Sequence, residues 1–124
     1  MKTTGIALSG GGARGVAHLG VLRALKEFGV KPDVLSGSSA GAMVAAFYAG
    51  GYSDKEIIDI VTESRFFSIF HLQIGKSGLF DMGAFEIIYH KYLQHNSFEG
   101  LSIPIHIAAT DIINGETKYF SSGN

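Results

Sequence analysis

The chain opens on a short apolar run between glycines, Gly5-Ile6-Ala7-Leu8-Ser9, which is the pattern of a buried strand. From Val16 to Phe28, the apolar residues Val21, Leu22, Leu25 and Phe28 recur at helical spacing. Gly29, with Pro32 just beyond it, marks the end of that helix. Val34-Leu35-Ser36 predicts a second buried strand, and Ala40 to Ala49 a second helix ending at Gly50-Gly51. Ser53-Asp54-Lys55-Glu56 has the form of a capping box, in which the serine and the glutamate each accept from the other's backbone N–H. It opens a third helix through about Glu63. Arg65 to Ile74 is rich in phenylalanine and has no clear period. Met82 to Leu93 predicts a helix with Phe85, Ile88, Tyr89 and Tyr92 on one face. Ile103 to Ile113 predicts a strand, and Asn114-Gly115 a tight hairpin into Lys118-Tyr119-Phe120. Two βα units in succession predict an α/β layer fold around a mostly parallel sheet.

Composition narrows the function classes. The 124 residues suffice for one domain and are too few for two comfortable cores. Ten basic side chains against eleven acidic ones give a net charge of −1, so there is no basic excess with which to grip nucleic acid. The absence of cysteine excludes disulfides, thiolate nucleophiles and cysteine metal sites. Val34 to Ser53 carries no charge, but Ser36, Ser38, Ser39 and four glycines interrupt it. Its strongly apolar part, Ala40 to Ala49, is about half of the ~20 residues a membrane span needs. Met1-Lys2-Thr3-Thr4-Gly5 is followed by no long apolar stretch, so no signal peptide is expected. The chain reads as soluble and cytoplasmic. Seventeen glycines, where an ordinary ~7% would give about nine, need a location and a reason.

The glycines gather at two strand-to-helix turns. The first is Gly10-Gly11-Gly12-Ala13-Arg14-Gly15. It leads into a helix whose first N–H groups lack internal partners, so it reads as a site for a phosphate or for an oxyanion formed in acyl transfer. Arg14 either adds positive charge there or serves as a solvated or ion-paired side chain. The same residues match the dinucleotide fingerprint G-x-G-x-x-G, which wants an acidic residue at the end of the next strand. That strand ends in Ser36-Gly37-Ser38, and Asp33 lies at its beginning. The dinucleotide reading is demoted on that ground.

The second turn, Gly37-Ser38-Ser39-Ala40-Gly41, matches G-x-S-x-G between a predicted strand and a predicted helix. In a nucleophile elbow such a turn lifts the serine Oγ above the sheet edge, with small neighbours avoiding a clash. The bland alternative is a serine helix cap, with Ser38 or Ser39 bonded to the first turn. Two such turns in adjacent βα units would both lie at the carboxyl ends of neighbouring strands, where open α/β sheets place their ligands. One offers a hydroxyl and the other backbone donors, the two components of an acyl-transfer site.

With these motifs the chain resembles the patatin-like phospholipases. The resemblance rests on the strand Ile6-Ala7-Leu8-Ser9, the turn Gly10 to Gly15 and the elbow Gly37 to Gly41. Ala108-Ala109-Thr110-Asp111 followed by Asn114-Gly115-Glu116 is similar to a later strand and hairpin of that family. The resemblance spans the chain but only about the N-terminal half of such a domain. It implies a three-layer α/β/α fold and hydrolysis of lipid or phospholipid esters by a Ser–Asp dyad, with neither metal nor organic cofactor. On it, Ser39 is the nucleophile, Gly10, Gly11, Gly12, Ala13, Arg14 and Gly15 form the oxyanion loop, and Gly37, Ser38, Ala40 and Gly41 complete the elbow. The family's base is an aspartate followed by Gly-Gly or Gly-Ala. None of Asp33, Asp54, Asp59, Asp81 and Asp111 is followed by glycine, and Asp111 matches a different position. Its expected role is hydrogen bonding at a strand end or turn.

His18, His71, His90, His95 and His106 are candidate bases by residue type alone, and no spacing singles one out. Phe66 to Leu72 reads as core between helices or as the lining of an acyl pocket. The expected result is a domain portion without its base and with little turnover, with transient contact at a membrane surface and self-association through a truncated sheet. A non-catalytic acyl- or anion-binding module is the alternative, ahead of a nucleotide-binding domain.

Overall fold

A computed structural model describes residues 3–63 and 83–124. Gly5–Leu8 forms strand β1, a 3-10 turn covers Gly12–Val16, and Ala17–Glu27 is helix α1. Val34–Gly37 (β2), Ala40–Ala49 (α2) and Asp54–Glu63 (α3) follow. Gly83–Tyr92 is α4, and Ile105–Asp111 (β3) turns back into Glu116–Phe120 (β4). The Phe66 to Leu72 stretch, His71 and Asp81 lie outside the described residues.

The sheet order is β1-β2-β3-β4, with the first two pairings parallel and the last antiparallel. This is the α/β class and mostly parallel sheet that the alternation of elements predicts. Gly37 stands opposite both Leu8 and Ile107, so β1 and β2 end level with each other while β3 runs further.

Helix α2 is apolar on all sides and is buried accordingly. It covers one face of the sheet, touching β1, β2 and β3. Helices α1 and α3 pack on it in turn, with Leu19, Leu22, Ile57 and Val61 joining Val44 and Phe47 in the core. From α4, Phe85 and Ile88 are buried, while Tyr89 and Tyr92 pack against the core as the predicted face requires. Tyr89 stacks on Phe47 at 5.5 Å between ring centres, and burial pushes its phenol pKa up. The capping box of α3 is formed: Ser53 N and Oγ donate to Glu56 Oε2 at 2.8 and 2.6 Å, and Glu56 N donates to Ser53 Oγ at 3.3 Å. Those bonds hold the Glu56 carboxyl below its usual range.

Two expectations change. In α1 the buried stripe is Leu19 and Leu22, whereas Val21 is 53% and Phe28 85% exposed. Among the described residues the helix closely meets α2, α3 and the 3-10 turn alone, which is too narrow a contact to cover a wider stripe. The hairpin loop also has four residues, Ile112 to Gly115, because Asp111 pairs with Glu116. Asp111 accounts for the longer loop: Oδ1 accepts from Ile113 N at 3.0 Å and Asn114 N at 3.3 Å, and Oδ2 accepts from Asn114 Nδ2 at 2.8 Å. Such an Asx arrangement replaces a two-residue turn. It is also the turn-stabilising role expected of Asp111.

Candidate active site

Ser39 is exposed at the carboxyl end of β2, in the N-cap position just before α2. Its φ of 49° and ψ of −124° are values that side chains other than glycine's rarely adopt. Such a conformation costs of order 1–3 kcal/mol and persists only where the surroundings enforce it. The enforcement is visible. Ser38 N donates to Leu8 O at 3.2 Å, and Gly41 N donates to Ser38 O at 2.9 Å. A β-carbon on Gly37 would lie 2.6 Å from Ala42 N, and one on Gly41 would overlap the Leu8 carbonyl oxygen. Glycine at 37 and 41 therefore lets the first turn of α2 sit directly on the ends of β1 and β2. Ala40 is buried against Gly15, where a β-carbon would approach its methyl to 2.6 Å.

The serine cap alternative fails on this geometry. Ser39 sits in the cap position but its side chain makes no cap hydrogen bond. Among the described residues its hydroxyl has no partner. The backbone at Ser39 still serves the helix, since its carbonyl accepts from Met43 N at 3.2 Å.

The glycine loop comes up beside it. Gly10 N donates to Ser38 Oγ at 3.2 Å, and a β-carbon on Gly10 would stand 3.2 Å from Ser39 Cβ. Gly12 has φ +55°, Arg14 N donates to Gly11 O at 3.1 Å, and the chain then enters the 3-10 turn. The N–H groups of Gly11, Gly12 and Ala13 have no hydrogen-bond partner among the described residues. Arg14 is exposed and forms no ion pair among them. The six loop residues and the five elbow residues are thus brought to one end of the sheet.

Neither a carboxylate nor an imidazole among the described residues reaches Ser39. Asp33 lies at the opposite end of β2, where Thr4 N donates to its Oδ2 at 2.7 Å. His90 faces Glu86 at 3.6 Å on the exposed side of α4. His106 lies on the sheet face away from α2, beside Ser36 in register. His18 has a role that its spacing did not indicate: its Nε2 donates to Ser9 O at 2.8 Å, steadying the entry to the glycine loop. Ser38, expected in the elbow or as a cap bonded to the first turn of α2, instead accepts from Gly10 N and links the elbow to the loop. Its position next to Ser39 was the one available signal.

Helix α2 connects this corner to a cavity. One turn beyond Ser39, a space of about 470 Å³ opens between α2, α4 and β3, with Ala42, Ala46, Phe85, Tyr89, Leu101 and Ile107 in its wall. No group of three or more metal-ligating side chains occurs among the described residues, and none of their helices is long and apolar enough to cross a membrane.

Comparison with known proteins follows this geometry. The family model described as Patatin-like phospholipase matches residues 6–123. The patatin-like phospholipase domain-containing protein ZK370.4 of Caenorhabditis elegans is 33% identical over 130 residues, covering 96% of this chain and 9% of its own length. The patatin-like phospholipase domain-containing protein 6 of Homo sapiens is 31% identical over 129 residues, covering 99% of this chain and again 9% of its own. The chain therefore spans about a tenth of the curated relatives it matches. Among solved structures, VipD from Legionella pneumophila superposes with a TM-score of 0.60 at 16% identity, over 98% of this chain and 39% of VipD. The type III effector protein ExoU gives 0.52 at 21%, over 98% and 36%. These two likenesses concern the fold alone.

Proposed function

Since the chain belongs to the patatin-like phospholipase family, we propose that it carries the nucleophile and oxyanion loop of a lipid acyl hydrolase, with Ser39 as the attacking residue. The observation that carries this reading is the strained, exposed and uncapped Ser39 beside a loop with unpaired N–H groups. In the reaction, Ser39 Oγ attacks the ester carbonyl carbon and its proton passes to an aspartate, the second member of the dyad. The carbonyl oxygen, now an oxyanion, faces the N–H groups of Gly11 and Gly12. Each such donor is worth about 3 kcal/mol where it has been removed in other enzymes. Collapse expels the alcohol, which takes the proton back, and water then releases the fatty acid from the serine. The apolar cavity that begins at Ala42 receives the acyl chain.

No aspartate of this chain has the glycine that follows the family's base, so the 124 residues alone are expected to turn over little or no ester. A fluorophosphonate probe is expected to label Ser39, and Ser39→Ala to abolish labelling. Absence of labelling, with anion or fatty-acid binding unaffected by Ser39→Ala, would favour a binding module instead. Hydrolysis of a short-chain nitrophenyl ester that disappears in Ser39→Ala would reveal a base within the chain and overturn the expected inactivity.

A further inference from the structure

We propose that the tip of the β3–β4 hairpin, Ile112-Ile113, is a bilayer anchor that seats the Ser39 end of the sheet on a lipid surface; the inference rests on the acyl hydrolase reading. These two side chains are 89% and 91% exposed, on a loop that also holds Asn114 and Gly115 and no charge. An exposed apolar pair at a loop tip has no part in the core and calls for another partner.

Its position points to the substrate phase. Strand β3 is parallel to β2, and Ile107 lies level with Gly37, two residues before the serine. From there β3 runs on to Asp111, about 13 Å further at the usual rise of a strand. The tip therefore projects beyond the elbow at the same end of the sheet. Phe28, an aromatic that is also strongly exposed, closes α1 near the start of β2, at the opposite end.

Three of the four N–H groups of the tip already have partners within the loop. Ile113 N and Asn114 N donate to Asp111 Oδ1, and Gly115 N donates to Asp111 O at 2.8 Å. Three N–H groups are thus satisfied within the loop, so insertion strands none of these donors in hydrocarbon. The same bonds fix the loop, so little ordering is needed on docking. At the base of the hairpin Lys118 Nζ is paired with Glu116 Oε2 at 2.6 Å, so the chemistry favours apolar insertion over attraction to anionic headgroups. Tyr119 and Phe120 of β4 are exposed too, but they lie beside Ala108 and Ile107, level with the elbow, so the two isoleucines alone form the projecting tip.

The test is co-sedimentation of the chain with phosphatidylcholine vesicles. The double variant Ile112→Ser, Ile113→Ser should lower partitioning roughly 10- to 100-fold, with its unfolding transition unchanged. Because the chain lacks tryptophan, Ile113→Trp places a lone reporter at the tip. Its emission should shift to the blue on vesicles and be quenched by brominated acyl chains. Equal partitioning of parent and double variant, or a reporter that stays in water, would overturn the proposal. So would a dimer of the parent chain that the double variant dissolves without changing vesicle binding. Fluorophosphonate labelling without vesicles should be the same in parent and double variant; its absence in both would count against the hydrolase reading while the vesicle measurements still decide the anchor.

Discussion

Gly10 and Ser38 are joined by a hydrogen bond: the Gly10 amide donates to Ser38 Oγ at 3.2 Å. It ties the glycine loop after β1 to the elbow after β2, so two turns that are separate in sequence behave as one piece. Any motion of the loop away from the elbow must break that bond.

Ser38→Ala should therefore affect reactivity more than stability. The hydroxyl is half-buried, and its loss costs about 1 kcal/mol of unfolding free energy. The rate of fluorophosphonate labelling at Ser39 should fall about tenfold as the loop donors lose their register. Urea unfolding and labelling kinetics read the two effects separately. A stability loss with an unchanged rate would mean that the bond is only structural.

Ser39→Gly should stabilise the protein by on the order of 1 kcal/mol, because glycine adopts φ 49° without strain. Ser39→Ala keeps the β-carbon and should show no such gain. Both variants lose labelling. Equal unfolding midpoints for the two would show that the elbow stores no strain.

Two glycines give opposite expectations for the same substitution. Gly41→Ala drives a β-carbon into the Leu8 carbonyl and should cost at least about 3 kcal/mol. Gly20→Ala lies on the exposed side of α1 with open space around it, and should gain about 0.5–1 kcal/mol in helix propensity. Urea midpoints of the pair, compared at equal slope, check the contrast.

The hairpin turn should loosen in acid. Hydrogen bonds from Asn114, side chain first and then backbone, hold the Asp111 carboxyl below its ordinary value. A depressed folded pKa means that stabilisation is complete above the unfolded value and is lost as pH falls through the folded one. Protection of the Ile113 and Asn114 amides, their exchange rate relative to the intrinsic rate at the same pH, should therefore fall once pH drops below the usual carboxylate range. Asp111→Asn should flatten that dependence.

Much of this corner was legible in the sequence, because its signals are local. Glycines at 37 and 41 flanking Ser39, between the short run Val34-Leu35-Ser36 and an apolar helix, declare a strand, a tight turn and a helix start. Ser53 and Glu56 declare a cap just as directly. What stayed hidden depends on partners distant in the chain. The periodicity of α1 shows which residues share a face, but not that α2 and α3 cover only Leu19 and Leu22. Nothing near His18 announces that its ring meets the Ser9 carbonyl. Asn114-Gly115 suggests the hairpin, whereas its four-residue loop is decided by the carboxylate of Asp111.

The neighbours β2 and β3 are separated in the chain by α2, α3 and α4. Their pairing, Leu35 beside Ile105, must pay the entropy of closing that whole excursion and so forms late. A polypeptide emerging from the ribosome through α4 has β2 as a bare edge, although Leu8, Gly10, Gly15 and the first turn of α2, which hold the turn at its end, are already made. The elbow can therefore be set before its neighbouring strand arrives. What the late strand adds is the far wall of the apolar space beside α2, through Ile105 and Ile107, so the serine is shaped first and the room for an acyl chain is closed afterwards.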